Sequence, residues 1–333
     1  MARLVEVIRG RIVESVHAGV LVVSRPDGTI RSVGDPWLVT YPRSSLKPFQ
    51  ALALVAGGGI ERFGLTDEEL AVVCASHAGE APHLAIIAGL LQKIGAPPEA
   101  LRCGMALPGR LPGAHPPADA SPSALAHNCS GKHAGMLALA RLLDAPLEGY
   151  HRPDHPVQRA IRHALQETLG PDATRVVGTD GCNAPAYAVP VATMARAFGL
   201  LGRPTGPFAG ALDRLSRAMR RHPELVSGSS GFLDTTLMAA VPGLVAKRGA
   251  EGFFALGLPD GTGLALKVLD GDVAGRAVGP ATIGALLALG VLDDTSLPPK
   301  LAAFGPVLRF SDLEGAPVGA IRPARTLRIL GNG

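Results

Sequence analysis

Segments with strand character lie near both ends of the chain, and this placement limits the folds open to it. The apolar, β-branched run over residues 19–23 is followed by a turn at Pro26-Asp27-Gly28, so residues 1–41 are predicted to form strands. Further strands are predicted over residues 175–178, 252–257 and 264–269, before a last helix and a Pro-containing tail. This order predicts an α+β fold whose sheet joins the N- and C-terminal segments.

The middle of the chain is mainly helical in pattern. Thr66-Asp67-Glu68-Glu69 is a capping box that opens one helix. Other helices are predicted over residues 83–94, 130–143, 156–169, 189–201, 207–221, 232–240 and 281–292. We expect one domain over residues 1–333. A further division into a helical subdomain, about residues 45–240, and a sheet formed by both chain ends stays open.

Composition excludes several classes of protein. Hydrophobic residues make up 47% of the 333 residues and charged residues 18%, which suits a large buried core and excludes disorder. The net charge is +4 and the basic residues form no stripe with aromatics, so no nucleic-acid partner is expected. No apolar run is long enough for a membrane span, and the N-terminus has no apolar signal segment, so we expect a cytoplasmic protein.

Lysine is scarce, with six in the chain, which draws attention to the ones in unusual places. Ser44 and Lys47 form a Ser-x-x-Lys pair where a strand ends and a helix begins. One helical turn would bring the amine towards the hydroxyl, as a serine nucleophile with a lysine base requires. The alternative is an N-cap serine followed by an ordinary surface lysine.

Two other segments combine polar groups with apolar surroundings. Ser76 lies at the end of a buried helix, where a second hydroxyl could face a substrate. Lys267 is the only charged residue in the apolar strand 264–269. Its amine either reaches solvent from a sheet edge or enters a polar pocket, and both interpretations stay open.

Thiols occur in two polar turns. Cys129 stands at a helix start with Lys132 and His133, and Cys182 follows Asp180 in a turn after a strand. Thiols in such turns indicate a metal or reactive site, with His133 the usual further ligand and Lys132 an unusual one. The alternative is a set of buried free thiols.

Five motifs in sequence resemble the rhizobial-type L-asparaginase family. They are Arg43-Ser44-Ser45-Leu46-Lys47-Pro48-Phe49-Gln50, Cys74-Ala75-Ser76-His77, Asn128-Cys129-Ser130-Gly131-Lys132-His133-Ala134-Gly135-Met136-Leu137, Gly178-Thr179-Asp180-Gly181-Cys182 and Gly263-Leu264-Ala265-Leu266-Lys267. The resemblance implies L-asparagine hydrolysis and a homodimer. It also implies a mostly antiparallel sheet flanked by helices, similar to serine β-lactamases and glutaminases.

The same resemblance implies roles for individual residues. Its two Ser–Lys tandems fall on Ser44 with Lys47 and on Ser76 with Lys267, and its active-site aspartate on Asp180. Its zinc site falls on Cys129, Lys132 and Cys182, with zinc not directly catalytic. Arg43 and His133 are predicted to bind the substrate, Arg43 through the α-carboxylate.

The predicted mechanism is an acyl-enzyme route. Ser44, deprotonated by Lys47, attacks the side-chain amide carbon of asparagine, and backbone N–H groups at the helix start stabilise the oxyanion. Ser76 and Lys267 relay a proton to the departing ammonia, and water then releases aspartate.

Rival functions stay open at this point. A glutaminase would need the same groups. A penicillin-recognising hydrolase would need Ser-Asp-Asn and Lys-Thr-Gly, for which the nearest strings are Ser130-Gly131-Lys132 and Lys247-Arg248-Gly249. A non-catalytic zinc-binding protein of the same fold is the third alternative.

Overall fold

A computed structural model describes residues 1–113, 116 and 118–331 of the chain. The strands in this part of the chain are β1 Ala2–Arg9, β2 Ile12–Ser24, β3 Ile30–Val33, β4 Val39–Thr40, β5 Val176–Thr179, β6 Pro185–Pro190, β7 Val245–Arg248, β8 Phe253–Gly257, β9 Gly263–Val268, β10 Leu308–Ser311 and β11 Pro317–Pro323.

The α-helices are α1 Lys47–Gln50, α2 Leu52–Ala56, α3 Gly59–Phe63, α4 Asp67–Val73, α5 Ala81–Lys93, α6 Ser130–Leu142, α7 Pro156–Leu169, α8 Val191–Gly202, α9 Ala209–Arg221, α10 Pro223–Val226, α11 Leu233–Ala240, α12 Val278–Ala288 and α13 Pro299–Ala302. A 3₁₀ turn over Arg43–Leu46 leads into α1. In this part of the chain no helix has the length and apolar character that crossing a membrane requires.

An eight-stranded antiparallel sheet forms the centre of the fold. Its strand order is β10-β11-β1-β2-β9-β8-β7, with β3 paired to β2. In register, Lys267 of β9 lies opposite Val20 of β2 and Phe253 of β8. All residues of β8 and all of β9 except Lys267 are buried. The α+β prediction with a mostly antiparallel sheet is therefore confirmed.

Several strands do not show in the sequence pattern. The Pro-containing tail supplies β10 and β11, which extend the sheet beside β1. A second sheet has the order β4-β6-β5. β4 lies within the residues predicted to form strands, whereas β6 begins and ends with proline and carries no alternation that predicts a strand. The division of the chain into one domain or two parts stays a prediction.

Helix α6 lies close against α4, and glycine makes this possible. The capping box of α4 is present as predicted, with Thr66 and Glu69 each bonding the other's backbone N–H. A Cβ on Gly131 of α6 would overlap the carbonyl of Val72, and one on Gly135 would lie 2.7 Å from a methyl of Val73. The start of α6 therefore lies next to the end of α4.

We expect Gly131→Ala to lower the free energy of unfolding by about 1–3 kcal/mol, because the added methyl must separate two packed helices. Chemical denaturation monitored by circular dichroism measures this. The matched control is Gly89→Ala in α5, where a Cβ would meet nothing within 4 Å. That change should stabilise the helix by up to about 1 kcal/mol. Equal effects at both positions would contradict the packing argument.

Candidate active site

In the Ser-x-x-Lys pair, Ser44 lies in the 3₁₀ turn and Lys47 is the first residue of α1. Ser44 is partly exposed, whereas Lys47 is buried. The backbone N–H of Lys47 donates to the carbonyl of Ser44. Its ammonium donates instead to the hydroxyl of Ser76 at 2.9 Å, to the carbonyl of Ala75 and to that of Asn128 at 3.3 Å. In the described chain, no hydrogen bond joins the Ser44 hydroxyl to this amine.

The surroundings of Lys47 favour its neutral form. Burial is the main cause that lowers the pKa of its ammonium below the usual range. The thiol of Cys129 opposes this effect, and the second cation, Lys132, adds to it. A neutral amine within hydrogen-bond reach of a hydroxyl is the arrangement that a general base needs.

The backbone of Ser76 is held from two sides. Its side chain is 3% exposed, and its N–H donates to the carbonyl of Val226 at 2.9 Å. The guanidinium of Arg248 donates to its carbonyl at 3.0 Å. The hydroxyl of Ser76 therefore has a defined position beside Lys47.

Lys267 lies apart from Ser76 in the contacts of the described residues. Its ammonium donates to the backbone carbonyl of Glu251, in the turn before β8. The side chain is only half-buried, and this burial lowers the pKa of the ammonium. The structure thus brings Ser76 to Lys47 rather than to Lys267. A pattern of alternation within β9 could not show this, because the partner of Lys267 comes from another segment.

The two thiol turns meet, as the sequence suggests. Cys129 is the N-cap of α6, Lys132 lies in its first turn, and Cys182 lies in the turn after β5. The ammonium of Lys132 is 2.9 Å from the sulfur of Cys182. All three side chains are buried. Among the described residues, no cluster of three or more His, Cys, Asp and Glu side chains could hold a metal.

The pKa values of Cys129, Lys132 and Cys182 depend on one another. A hydrogen bond from Cys182 lowers the pKa of the Cys129 thiol well below its usual value and raises that of Cys182. Burial alone would lower the pKa of Lys132, but Cys129 and Cys182 raise it above its ordinary value. A cation therefore already lies against the two sulfurs.

This donor set fits a zinc ion. Two thiolates and one amine nitrogen are ligands of the kind that zinc accepts. The proton of Lys132 would have to leave, as metal binding requires of its ligands. The fit rests on the donors and their contacts, with a lysine in place of the more common histidine.

Arg43 and Asp180 form an ion pair at 2.6 Å beside the lysines. Burial by itself would raise the pKa of Asp180, but Lys132 and Arg43 hold it below its ordinary value. Arg43 has a positive φ of 52°, which costs energy for a residue with a side chain. Arg43, Asp180, Lys47 and Lys132 line one small cavity. A larger cavity of about 370 Å³, between the β2–β3 turn and α8, contains none of these residues.

His133 is fully buried, and its predicted contact with a substrate stays a prediction. Its Nδ1 lies 2.6 Å from the hydroxyl of Tyr150. Burial lowers the pKa of His133 well below its ordinary value, so the ring is neutral. Its Nε2 has no hydrogen-bond partner within the described chain.

Sequence reasoning missed Lys247 and Asp234. Both are fully buried, and the ammonium lies 3.5 Å from the carboxylate. Burial lowers the pKa of Lys247 to about 7, and Lys47 is among the cations that add to this effect. Ser45 of the 3₁₀ turn donates to the carbonyl of Lys247 at 2.7 Å. The signal was present, because Lys247 is a charged residue in an apolar strand and opens the string Lys247-Arg248-Gly249.

Solved structures that are similar to this chain share little sequence identity with it, as two of them show. A β-lactamase from Mycobacterium bovis is 16% identical, with a TM-score of 0.45, over 81% of this chain and 94% of its own. A Bacillus subtilis protein described as a probable glutaminase, complexed with 6-diazo-5-oxo-L-norleucine, is 12% identical, with a TM-score of 0.34, over 78% and 79%. These TM-scores are too low to support any conclusion about this chain.

Comparison with curated protein sequences finds no match. The family model for L-asparaginase II matches residues 5–323, nearly the whole chain. This match agrees with the five motifs, three of which contribute residues to the small cavity: Arg43 and Lys47, Lys132, and Asp180. The protein belongs to the L-asparaginase II family.

Proposed function

We propose that the protein hydrolyses L-asparagine to L-aspartate and ammonia. Family membership supports an amide hydrolase, and one contact supports the chemistry. The buried amine of Lys47 lies 2.9 Å from the hydroxyl of Ser76, and Ser44 lies three residues before Lys47 in the preceding turn. A base with a lowered pKa thus lies beside one hydroxyl, and a second serine lies in the turn before it.

Ser44 is the proposed nucleophile, because it is partly exposed whereas Ser76 is buried. Its oxygen attacks the side-chain amide carbon, and its proton passes to Lys47. The C–N bond then breaks, and Lys47 returns the proton to the leaving nitrogen, through Ser76, to release ammonia. Water hydrolyses the Ser44 ester, which yields aspartate and the free hydroxyl.

The charged groups of the substrate have matching partners around the small cavity beside Lys47. Asparagine carries an α-carboxylate and an α-ammonium, which would bind Arg43 and Asp180 in place of their mutual ion pair. The predicted relay role of Lys267 has no contact in support, and it stays a prediction.

Cys129, Lys132 and Cys182 would hold a zinc ion. When bound, zinc would supply a positive charge whose Lewis acidity two thiolates reduce. The three residues link the start of α6 to the turn that carries Asp180, so the thiol group holds a substrate-binding residue in place. A homodimer is a further proposal that rests on the resemblance, and light scattering would test it. The cytoplasmic location stays a prediction.

The test is ammonia release from L-asparagine and from L-glutamine at micromolar enzyme. We expect faster release from asparagine by about 10–200-fold, the range that one methylene in a pocket supplies. After an acid quench, mass spectrometry should find the aspartyl ester on Ser44. Faster release from glutamine would indicate a glutaminase, and hydrolysis of nitrocefin a penicillin-recognising enzyme. Bound zinc with no amide hydrolysis would indicate a non-catalytic protein.

A further inference from the structure

Tyr150 is a buried tyrosine whose hydroxyl both accepts and donates a hydrogen bond. The backbone N–H of Arg102 donates to it at 2.9 Å, so the phenol proton is directed to Nδ1 of His133 at 2.6 Å. Burial raises the pKa of Tyr150, which keeps this proton in place. Gln158 of α7 donates to the carbonyl of Tyr150 at 3.0 Å and fixes its backbone.

The other side of Arg102 reaches the second thiol turn. Its carbonyl accepts a hydrogen bond from the side chain of Asn183 at 2.9 Å. Asn183 directly follows Cys182 and has a φ of 67°, a left-handed conformation that asparagine tolerates. The turn closes through hydrogen bonds between Asp180 and both Asn183 and Ala184.

These contacts form a continuous chain between the first turns of α6, which begins at Cys129, and the turn that carries Cys182. His133 is four residues after Cys129, so both lie on the same face of the first turns of α6. From His133 the chain runs through Tyr150 and Arg102 to Asn183, beside Cys182. The contact of Lys132 with Cys182 joins the same two segments directly.

We propose that Tyr150 is a positioning residue that sets the spacing of Cys129 and Cys182. The inference rests on the proposed zinc site and assigns a function to the buried His133, which orients the site rather than contacting the substrate. Residues that support metal ligands without binding the metal themselves matter for affinity. Replacing such a residue lowers the affinity for the metal about 10–100-fold.

The experiment titrates the zinc-free protein with Zn²⁺ against a chromophoric chelator. Tyr150→Phe keeps the ring and removes the hydroxyl, and we expect the Kd for zinc to rise about 10–100-fold. Asn183→Gly breaks the other end of the chain at an exposed position whose φ suits glycine, so this variant folds even where Tyr150→Phe does not. The double variant should lose no more affinity than the stronger single variant, because both break one connection.

Tyr41→Phe is the control, since Tyr41 does not line the cavity that contains Lys132 and its hydroxyl bonds to none of the described residues. Its Kd should equal that of the wild type. A Kd for Tyr150→Phe within twofold of the wild type would overturn the positioning role. So would two single effects that multiply in the double variant.

A second probe separates this inference from the zinc proposal. Phenylarsine oxide binds two neighbouring thiols, and Cys129→Ser gives its background. If the wild type binds no zinc, the zinc site is wrong, and the arsenical still measures the spacing of the sulfurs. Weaker arsenical binding by both single variants supports the positioning role, and unchanged binding refutes it.

Discussion

Replacing Lys47 by methionine is expected to lower kcat/KM for asparagine by about 10²–10⁴-fold, the contribution of a positioned general base. Methionine fills the same buried space without an amine, so the Ser44 proton has no acceptor. The hydroxyl of Ser76 would also lose its 2.9 Å partner. Initial rates of ammonia release over a range of asparagine concentrations measure the effect.

Ser76→Ala is the comparison that gives this result its meaning. It removes the proposed relay and leaves Lys47 beside Ser44, so its loss of activity should be smaller than that of Lys47→Met. Far-ultraviolet circular dichroism and melting temperature show whether each variant is folded. A folded Lys47→Met protein with wild-type turnover would refute the proposed base. A larger loss in Ser76→Ala, with the ester absent from Ser44, would make Ser76 the nucleophile.

Asp234→Ala is expected to lower the free energy of unfolding by about 3–5 kcal/mol, because it leaves buried cations without a counter-charge. The carboxylate accepts hydrogen bonds from Ser227 at 2.8 Å and from the backbone of Arg248 at 3.0 Å, and it lies 3.5 Å from Lys247. Burial alone would raise the pKa of Asp234, but Lys247 and Arg248 hold it below its usual value. Urea denaturation at pH 7 measures the loss.

The double variant Asp234→Leu/Lys247→Met should recover much of that stability, because apolar groups can replace a buried ion pair at little cost. A loss below 1 kcal/mol in Asp234→Ala would refute the argument.

The lowered pKa of Lys247 also predicts how stability depends on pH. Its pKa is about 7 in the folded protein against an ordinary value of 10.5, so the unfolded chain binds more protons between these values. Its contribution to stability therefore rises with pH across this window and falls as pH drops towards 7. Lys247→Met should show a shallower rise.

Local features of the fold follow from local sequence. The capping box at Thr66 and Glu69 is present as predicted, because both bonding partners lie within one helical turn. β6 escapes prediction because a strand bounded by prolines carries no alternating pattern. It forms a local hairpin with β5, whereas its pairing with β4 joins distant segments of the chain.

For the site, the sequence by itself identified the candidate groups. They are a Ser-x-x-Lys turn, a second serine, two thiols near an unusual lysine, and an aspartate. It could not determine which amine meets which hydroxyl. Tertiary structure decided that Ser76 lies against Lys47, that Lys267 binds a backbone carbonyl, and that Lys247 joins Asp234 in the core. The physical reason is range. Helix caps and turns are set by neighbours a few residues apart, whereas these pairs join separate segments that only the packing of helices on the sheet brings together.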